Sequence, residues 1–222
     1  MTGCEVIRED DRLILVNPGE VGAKRHILLE FTGFRCVNCP DAAELAAKLK
    51  QTYGEQLYIV SLHPASNPFT QGKYDYTCPA ADSIYKWMGG TSGTPFPTGN
   101  IDLKPFGDSY FTDMSNWATI VHAAMQDTDI PDTLHAYTSY WLVEDSVLGV
   151  QAMPDGSVNN HYYHRHLLRN VAQKGEEMVI PDGCRKDQLY LLTLYLDPDD
   201  NHLIQAYEKK IDFSSPMSIG HE

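Results

Sequence analysis

The chain has 222 residues, enough to bury a sizeable core in one or two domains. Its 17 Lys and Arg against 30 Asp and Glu give a formal net charge of −13, which argues against nucleic acid or an anionic lipid surface as partner. No stretch approaches the roughly eighteen consecutive apolar residues of a membrane-spanning helix. The 5 Cys, 13 Tyr and 13 Pro suit an extracytoplasmic protein better than a cytosolic one.

Thr2-Gly3-Cys4 reads like the end of a lipoprotein signal, where a small residue and a glycine precede the cysteine that becomes acylated. Residues 1–11 are then expected to be a tether, with Cys4 as the lipidation site. Arg12 to Pro18 reads as a short strand, followed by a turn region to Lys24. Ile27 to Phe31 is an apolar run of strand length, and it leads through Thr32 and Gly33 into Cys36-Val37-Asn38-Cys39. From Asp41 to Tyr53 the residues Ala42, Leu45, Ala46 and Leu49 recur at helical spacing, and Gly54 supplies a stop. Leu57 to Leu62 is the next buried strand, so the segment reads as β-α-β with a parallel crossover.

Residues 64–93 are rich in Pro, Gly, Asn and Thr and read as an insertion on the C-x-x-C side, with one short helix over Ala81 to Met88. Phe96-Pro97-Thr98 then occupies the place where, in a thioredoxin-like fold, a cis proline begins the next strand, and Trp117 to Met125 is a helix. After Asp127 the pattern turns to strands: Leu134 to Glu144, Val147 to Gln151, His161 to Val171, Gln188 to Leu196 and Leu203 to Ile211. Turn signals at Asp155-Gly156, Pro181-Asp182-Gly183 and Asp197 to Asn201 separate them. The expected architecture is therefore α/β plus all-β: a thioredoxin-like domain over 12–127, then a small antiparallel β-sandwich over 128–222.

Strand, C-x-x-C, helix is the thioredoxin order. A cysteine at the first turn of a helix faces unpaired backbone N–H groups and the positive end of the helix dipole, and both favour the thiolate. With Arg35 adding charge, Cys36 is the expected exposed nucleophile and Cys39 its buried resolving partner. Glu30 lies on the strand six residues before Cys36, the place of the buried acidic residue that in thioredoxins accepts the resolving thiol's proton, and the resemblance implies that role for it. Cys36, Cys39, Glu30 and Pro97 form the candidate catalytic set. The alternative is a structural Cys36–Cys39 disulfide with Glu30 partnered to backbone or lysine. Cys78 and Cys184 are candidates for a second disulfide, between the domains, or else unpaired thiols.

A zinc site would need two more ligands than the C-x-x-C supplies, and no second suitable pair exists in the sequence. His161, His164 and His166 invite a metal reading, but packing on a strand accounts for them. Asp197 to Asn201 is too short for a calcium loop and reads as a hairpin turn. No metal site and no cofactor are assigned.

Four motifs in chain order carry a family resemblance. They are Leu29-Glu30-Phe31-Thr32-Gly33 with Cys36, Cys39 and Pro40; Phe96-Pro97-Thr98-Gly99; Leu142-Val143-Glu144-Asp145 with Gln151; and Tyr163-His164-x-His166-x-x-Arg169. Over Leu28 to Ile211 the chain resembles a family of Gram-negative lipoproteins named after a 28-kilodalton outer-membrane protein. The resemblance implies a thioredoxin-like domain plus a β-sandwich, lipid-anchored in the outer membrane on its periplasmic or outer face. Arg8-Glu9-Asp10-Asp11 resembles the acidic signal that directs such lipoproteins to the cell surface. The family's β-region is longer than the one here. Arg35 and Pro40 stand where redox-active thioredoxins carry tryptophan and lysine, so substrate recognition is expected to differ.

Two functions compete on these grounds. One is a cell-envelope lipoprotein with a binding or structural role, an unidentified protein ligand and some redox competence. The other is a thiol–disulfide oxidoreductase using Cys36 and Cys39 on protein or small-molecule disulfides.

Overall fold

The computed structural model describes residues 23–130 and 136–213. Cys4, the tether and the strand expected over Arg12 to Pro18 lie outside the described residues.

Strand β1 (His26–Phe31) is buried at all six positions. A strand buried on both faces belongs at the centre of a covered sheet. β1 pairs in parallel with β2 (Leu57–Leu62), His26 opposite Leu57 and Phe31 opposite Leu62. The crossover between them is helix α1 (Cys39–Tyr53), with Pro40 in its first turn and Gly54 ending it at φ 57°. The helix buries Ala42, Ala46 and Leu49, three of the four positions the helical spacing picked out. On the other side β1 pairs antiparallel with β3 (Thr98–Ile101), which follows a cis Phe96–Pro97 bond. A short β4 (Thr112–Asp113) completes that edge. The expected order of strand, C-x-x-C, helix, parallel strand and cis-proline strand is therefore present.

Helix α2 (Pro79–Trp87) forms inside the insertion, and α3 (Trp117–Ala124) follows β4. Leu28 and Ile59 meet α1 and α3 through Ala42, Ala46, Leu49, Trp117, Ile120 and Val121 on one face of the sheet. Ile27, Leu29, Phe31, Val60 and Leu62 alternate with them and pack on α2 through Ala81 and Tyr85.

The later strands correct the expected sandwich. β5 (Tyr137–Glu144) pairs antiparallel with both β8 (Leu167–Gln173) and β9 (Leu189–Leu196), and β9 pairs with β10 (Leu203–Lys210). These strands do not close over a second sheet. They extend the first through a parallel contact of Ser61 with Leu167, giving one eight-stranded sheet in the order β10-β9-β5-β8-β2-β1-β3-β4. The physical reason is that no opposing sheet is needed to cover them. Trp141, Val143, Leu192 and Leu194 share the apolar cluster that contains Leu29 and Phe31, while Leu142, Leu189 and Leu191 are covered by Met178, Ile180 and Ile211.

β6 (Val147–Ala152) and β7 (Val158–His164) form a separate hairpin. The single strand expected over His161 to Val171 is thus two. The chain breaks at Arg165-His166, where His166 takes φ 53° and its carbonyl accepts a bond from Ser61 N (2.8 Å). The Asp197 to Asn201 segment is the expected hairpin turn, closed by Asn201 N donating to Asp197 O (2.8 Å).

Candidate functional site

Cys36 and Cys39 are joined in a disulfide at the C-terminal end of β1. The helix begins at Cys39, so Cys36 precedes the first turn rather than occupying it. Its N–H donates to Gly33 O (3.0 Å), and its carbonyl accepts from Cys39 N (3.3 Å). Both cysteines are 2 % exposed, which corrects the expectation that Cys36 stands free while Cys39 alone is buried.

Two segments distant in sequence account for that burial. From the insertion, Phe69 O accepts from Arg35 N (3.0 Å), and Gln71 O accepts from the Arg35 guanidinium (3.3 Å). Asn67, fully buried, fixes this segment by donating to Tyr85 Oη and Thr94 O and accepting from Phe69 N. The ring of Phe69 stacks on Phe96 beside the cis bond, with centroids 6.1 Å apart. From the hairpin, Gln151 Nε2 donates to the carbonyls of Cys36 (2.8 Å) and Gly33 (3.3 Å), and Ala152 N donates to Phe34 O (2.8 Å). Gln151 is a positioning residue that the candidate set omits. Its place in one of the resemblance motifs was the only sequence signal for it.

Gly33 is required by this closure. A Cβ there would lie 2.6 Å from Phe69 O and 2.7 Å from Phe69 C, both backbone atoms that cannot swing away. Gly33→Ala is expected to destabilise the protein by about 1–3 kcal/mol through overpacking. A urea titration measures the shift, and an unchanged midpoint would show that the insertion yields freely.

Behind the disulfide lies a cavity of about 420 Å3 bounded by α1, the ends of β1 and β2, and the β7–β8 turn. Glu30, Cys39, Ser61, His63, Tyr162, His164 and His166 contribute to its wall. Glu30 is 2 % exposed, and burial pushes its carboxyl up to about 7 despite the bond that Ser61 Oγ donates to Oε2 (3.1 Å). Its Oε1 has no hydrogen-bond partner among the described residues, and neither has either ring nitrogen of His63. Burial, and then the neighbouring His164 and Arg169, hold His63 well below the ordinary histidine range. Burial lowers His164 to about 4, against a weaker contact of its Nε2 with Val150 O (3.3 Å). Burial and the Glu30 charge raise the Tyr162 hydroxyl to about 12.

The cavity thus gathers Glu30 and Cys39 from the candidate catalytic set. Pro97 lies immediately before β3, which pairs with β1, and is half-buried. His63 was missed in the sequence, since one histidine after a strand carries no signal. His161 is exposed on β7, whereas His164 and His166 line the cavity. Among the described residues no group of three or more His, Cys, Asp or Glu is placed to hold a metal ion.

Cys78 and Cys184 are not joined, which corrects the expected second disulfide. Cys78 Sγ accepts from Ala81 N (3.4 Å) and caps α2, while Cys184 Sγ accepts from Arg169 Nε (3.2 Å).

Fold and site together define a mixed α/β protein with a C-x-x-C disulfide at the end of a central strand of a large sheet. No family model and no curated protein matches the chain. It is similar in structure to HBP35 of Porphyromonas gingivalis, with 15% identity and a TM-score of 0.63 over 91% of this chain and 80% of that one. It is also similar to a structural-genomics protein of Agrobacterium tumefaciens, with 12% identity and a TM-score of 0.51 over 91% of this chain and 100% of that one. At these identities the likeness establishes the fold.

Proposed function

We propose that the chain is a thioredoxin-like protein of the cell envelope whose Cys36–Cys39 pair carries out thiol–disulfide exchange. The observation that carries this reading is Glu30, a buried carboxyl raised to about 7 that shares a cavity with Cys39. A carboxyl poised near neutrality takes a proton from a thiol and returns it to a departing thiolate, whereas a purely structural disulfide has no use for one. Exchange proceeds by thiolate attack on one sulfur with departure of the other. Insulin reduction driven by dithiothreitol tests this directly. The wild type should reduce insulin above the uncatalysed rate, both single Cys→Ser variants should lose the activity, and Glu30→Gln should be slower by about tenfold or more. Absence of catalysis in the wild type overturns the reading.

The burial of both cysteines favours a second reading, a binding or structural envelope protein in which the disulfide staples the C-x-x-C turn. That reading predicts no turnover and a stability loss on either Cys→Ser change.

For location, we propose acylation at Cys4 and anchoring in the outer membrane. The Thr2-Gly3-Cys4 sequence supports it, and among the described residues no helix is long and apolar enough to cross a membrane. A fatty-acid probe should label the wild type in cells and leave Cys4→Ala unlabelled; equal labelling of both overturns it.

A further inference from the structure

Cys39 lines the cavity and Cys36 does not. Cys36 is held by Gln151, a residue of the cavity wall, at its carbonyl and is flanked by the Arg35–Phe69 contact next to it. Both cysteines are 2 % exposed, and the cavity approaches the disulfide from the side of the second. The cavity mouth is made by exposed residues, Glu44 and Ala47 on α1 and Tyr163 and Arg165 on the β7 side. At about 420 Å3 the space lies in the range that holds small ligands. Deep inside, Glu30 Oε1 and both His63 ring nitrogens are buried without partners among the described residues, and such groups require hydrogen bonds from whatever fills the space. Arg165 at the mouth supplies a positive charge.

We propose that this cavity admits a low-molecular-weight thiol bearing a carboxylate, which exchanges with the disulfide at Cys39 rather than at Cys36. The proposal rests on the redox reading above and names its small-molecule partner. The carboxylate pairs with Arg165, and the thiol reaches inward to Cys39. Glu30, whose carboxyl burial raises to about 7, takes the thiol proton when ionised. The new thiolate forms a bond to Cys39 Sγ while the Cys36–Cys39 bond breaks, and Cys36 leaves as a thiolate that takes up a proton. A second molecule of the same thiol attacks the sulfur of the first, releasing Cys39 as a thiolate and a small symmetrical disulfide. Two thiols are oxidised and one protein disulfide is reduced, so atoms and electrons balance.

By microscopic reversibility the reverse step, a small disulfide reacting with the reduced cysteine, passes through the same site. Cystine is therefore the probe, cystamine is its carboxylate-free control, and mass mapping locates the adduct. Cys39 in the Cys36→Ser variant should react with cystine at least about tenfold faster than Cys36 in the Cys39→Ser variant. Cystine should outpace cystamine at Cys39, and Arg165→Ala should erase that preference. Narrowing the mouth with Ala47→Trp, at an exposed helix position, should slow the Cys39 reaction by about tenfold, and Ala43→Leu deeper in should do the same. Thermal melts confirm that these variants are folded, and Ala47→Trp alone decides if Ala43→Leu is not. Faster reaction at Cys36, or a Cys39 rate indifferent to both fillings, overturns the proposal while insulin reduction by the wild type stands. Failure of both cysteines to exchange, together with absent insulin reduction, removes the redox reading as well.

Discussion

Replacing Glu30 with glutamine is expected to stabilise the protein by about 3 kcal/mol above neutral pH and by almost nothing near pH 4. The native carboxyl titrates at about 7 and the unfolded one at 4.5, because burial penalises the charged form far more than the Ser61 hydroxyl rewards it. Between those two values the native state holds a proton that the unfolded state has lost. Stability from this group is full below about pH 4.5 and falls as pH rises through 7. Glutamine removes the fall, since it has no charge to desolvate. Urea unfolding at a series of pH values gives the difference. A Glu30→Gln variant no more stable than wild type at pH 8 would show that Glu30 is well solvated and would remove its poise near neutrality. The change should also slow disulfide exchange, so stability and activity move in opposite directions, as expected where a strained charge is kept for chemistry.

His164 should act with the opposite sign over nearly the same range. Its ring is held neutral down to about 4 in the folded protein against 6.5 when exposed, so the unfolded state binds the extra proton between those values. Stability is lost as pH falls from 6.5 to 4, by about 3 kcal/mol from this one ring. His164→Phe keeps the bulk beside Tyr76 and Tyr162, whose ring centroids lie 4.5 Å and 5.0 Å away, and abolishes the titration. A constant loss from the Val150 contact is expected, but the difference in stability between pH 7 and pH 4 should move by about 3 kcal/mol in favour of acid. An unaltered pH dependence would place the ring in water. In the wild type the Glu30 and His164 slopes largely cancel, and His63 adds to the acid-labile side. Each single variant therefore uncovers a slope that the other group hides.

Much of the first half was legible. The run Ile27 to Phe31 announces a buried strand because every residue but Glu30 is apolar, and the structure buries all of them, with His26 added at the start of the strand. The Ala42, Ala46, Leu49 spacing found the buried stripe of α1, and Phe96-Pro97 was read as cis from its place in the motif order. Periodicity failed at Arg165-His166. A His-x-His segment has the same alternation whether a strand continues or ends, and only the left-handed conformation of His166 ends it. The sandwich failed for a related reason. Alternating apolar residues on β5 and β9 demand cover on both faces, yet they do not specify whether a second sheet or a helix and a loop provide it.

The sequence by itself determined the local devices: the strand that ends in the C-x-x-C, the helix that follows, the acidic residue on the strand, and the turns between the later strands. Each depends on residues within a few positions of one another, where spacing and backbone preference act directly. Only the tertiary structure decided that both cysteines are buried, that Gln151 is bonded to the Cys36 carbonyl from 115 residues away, and that His63 and His164 stand with Glu30 around one cavity. Those contacts depend on the β6–β7 hairpin folding back over the end of β1 and β2. Long-range closure of that kind is set by which apolar faces must be covered together, and a linear pattern carries no record of it.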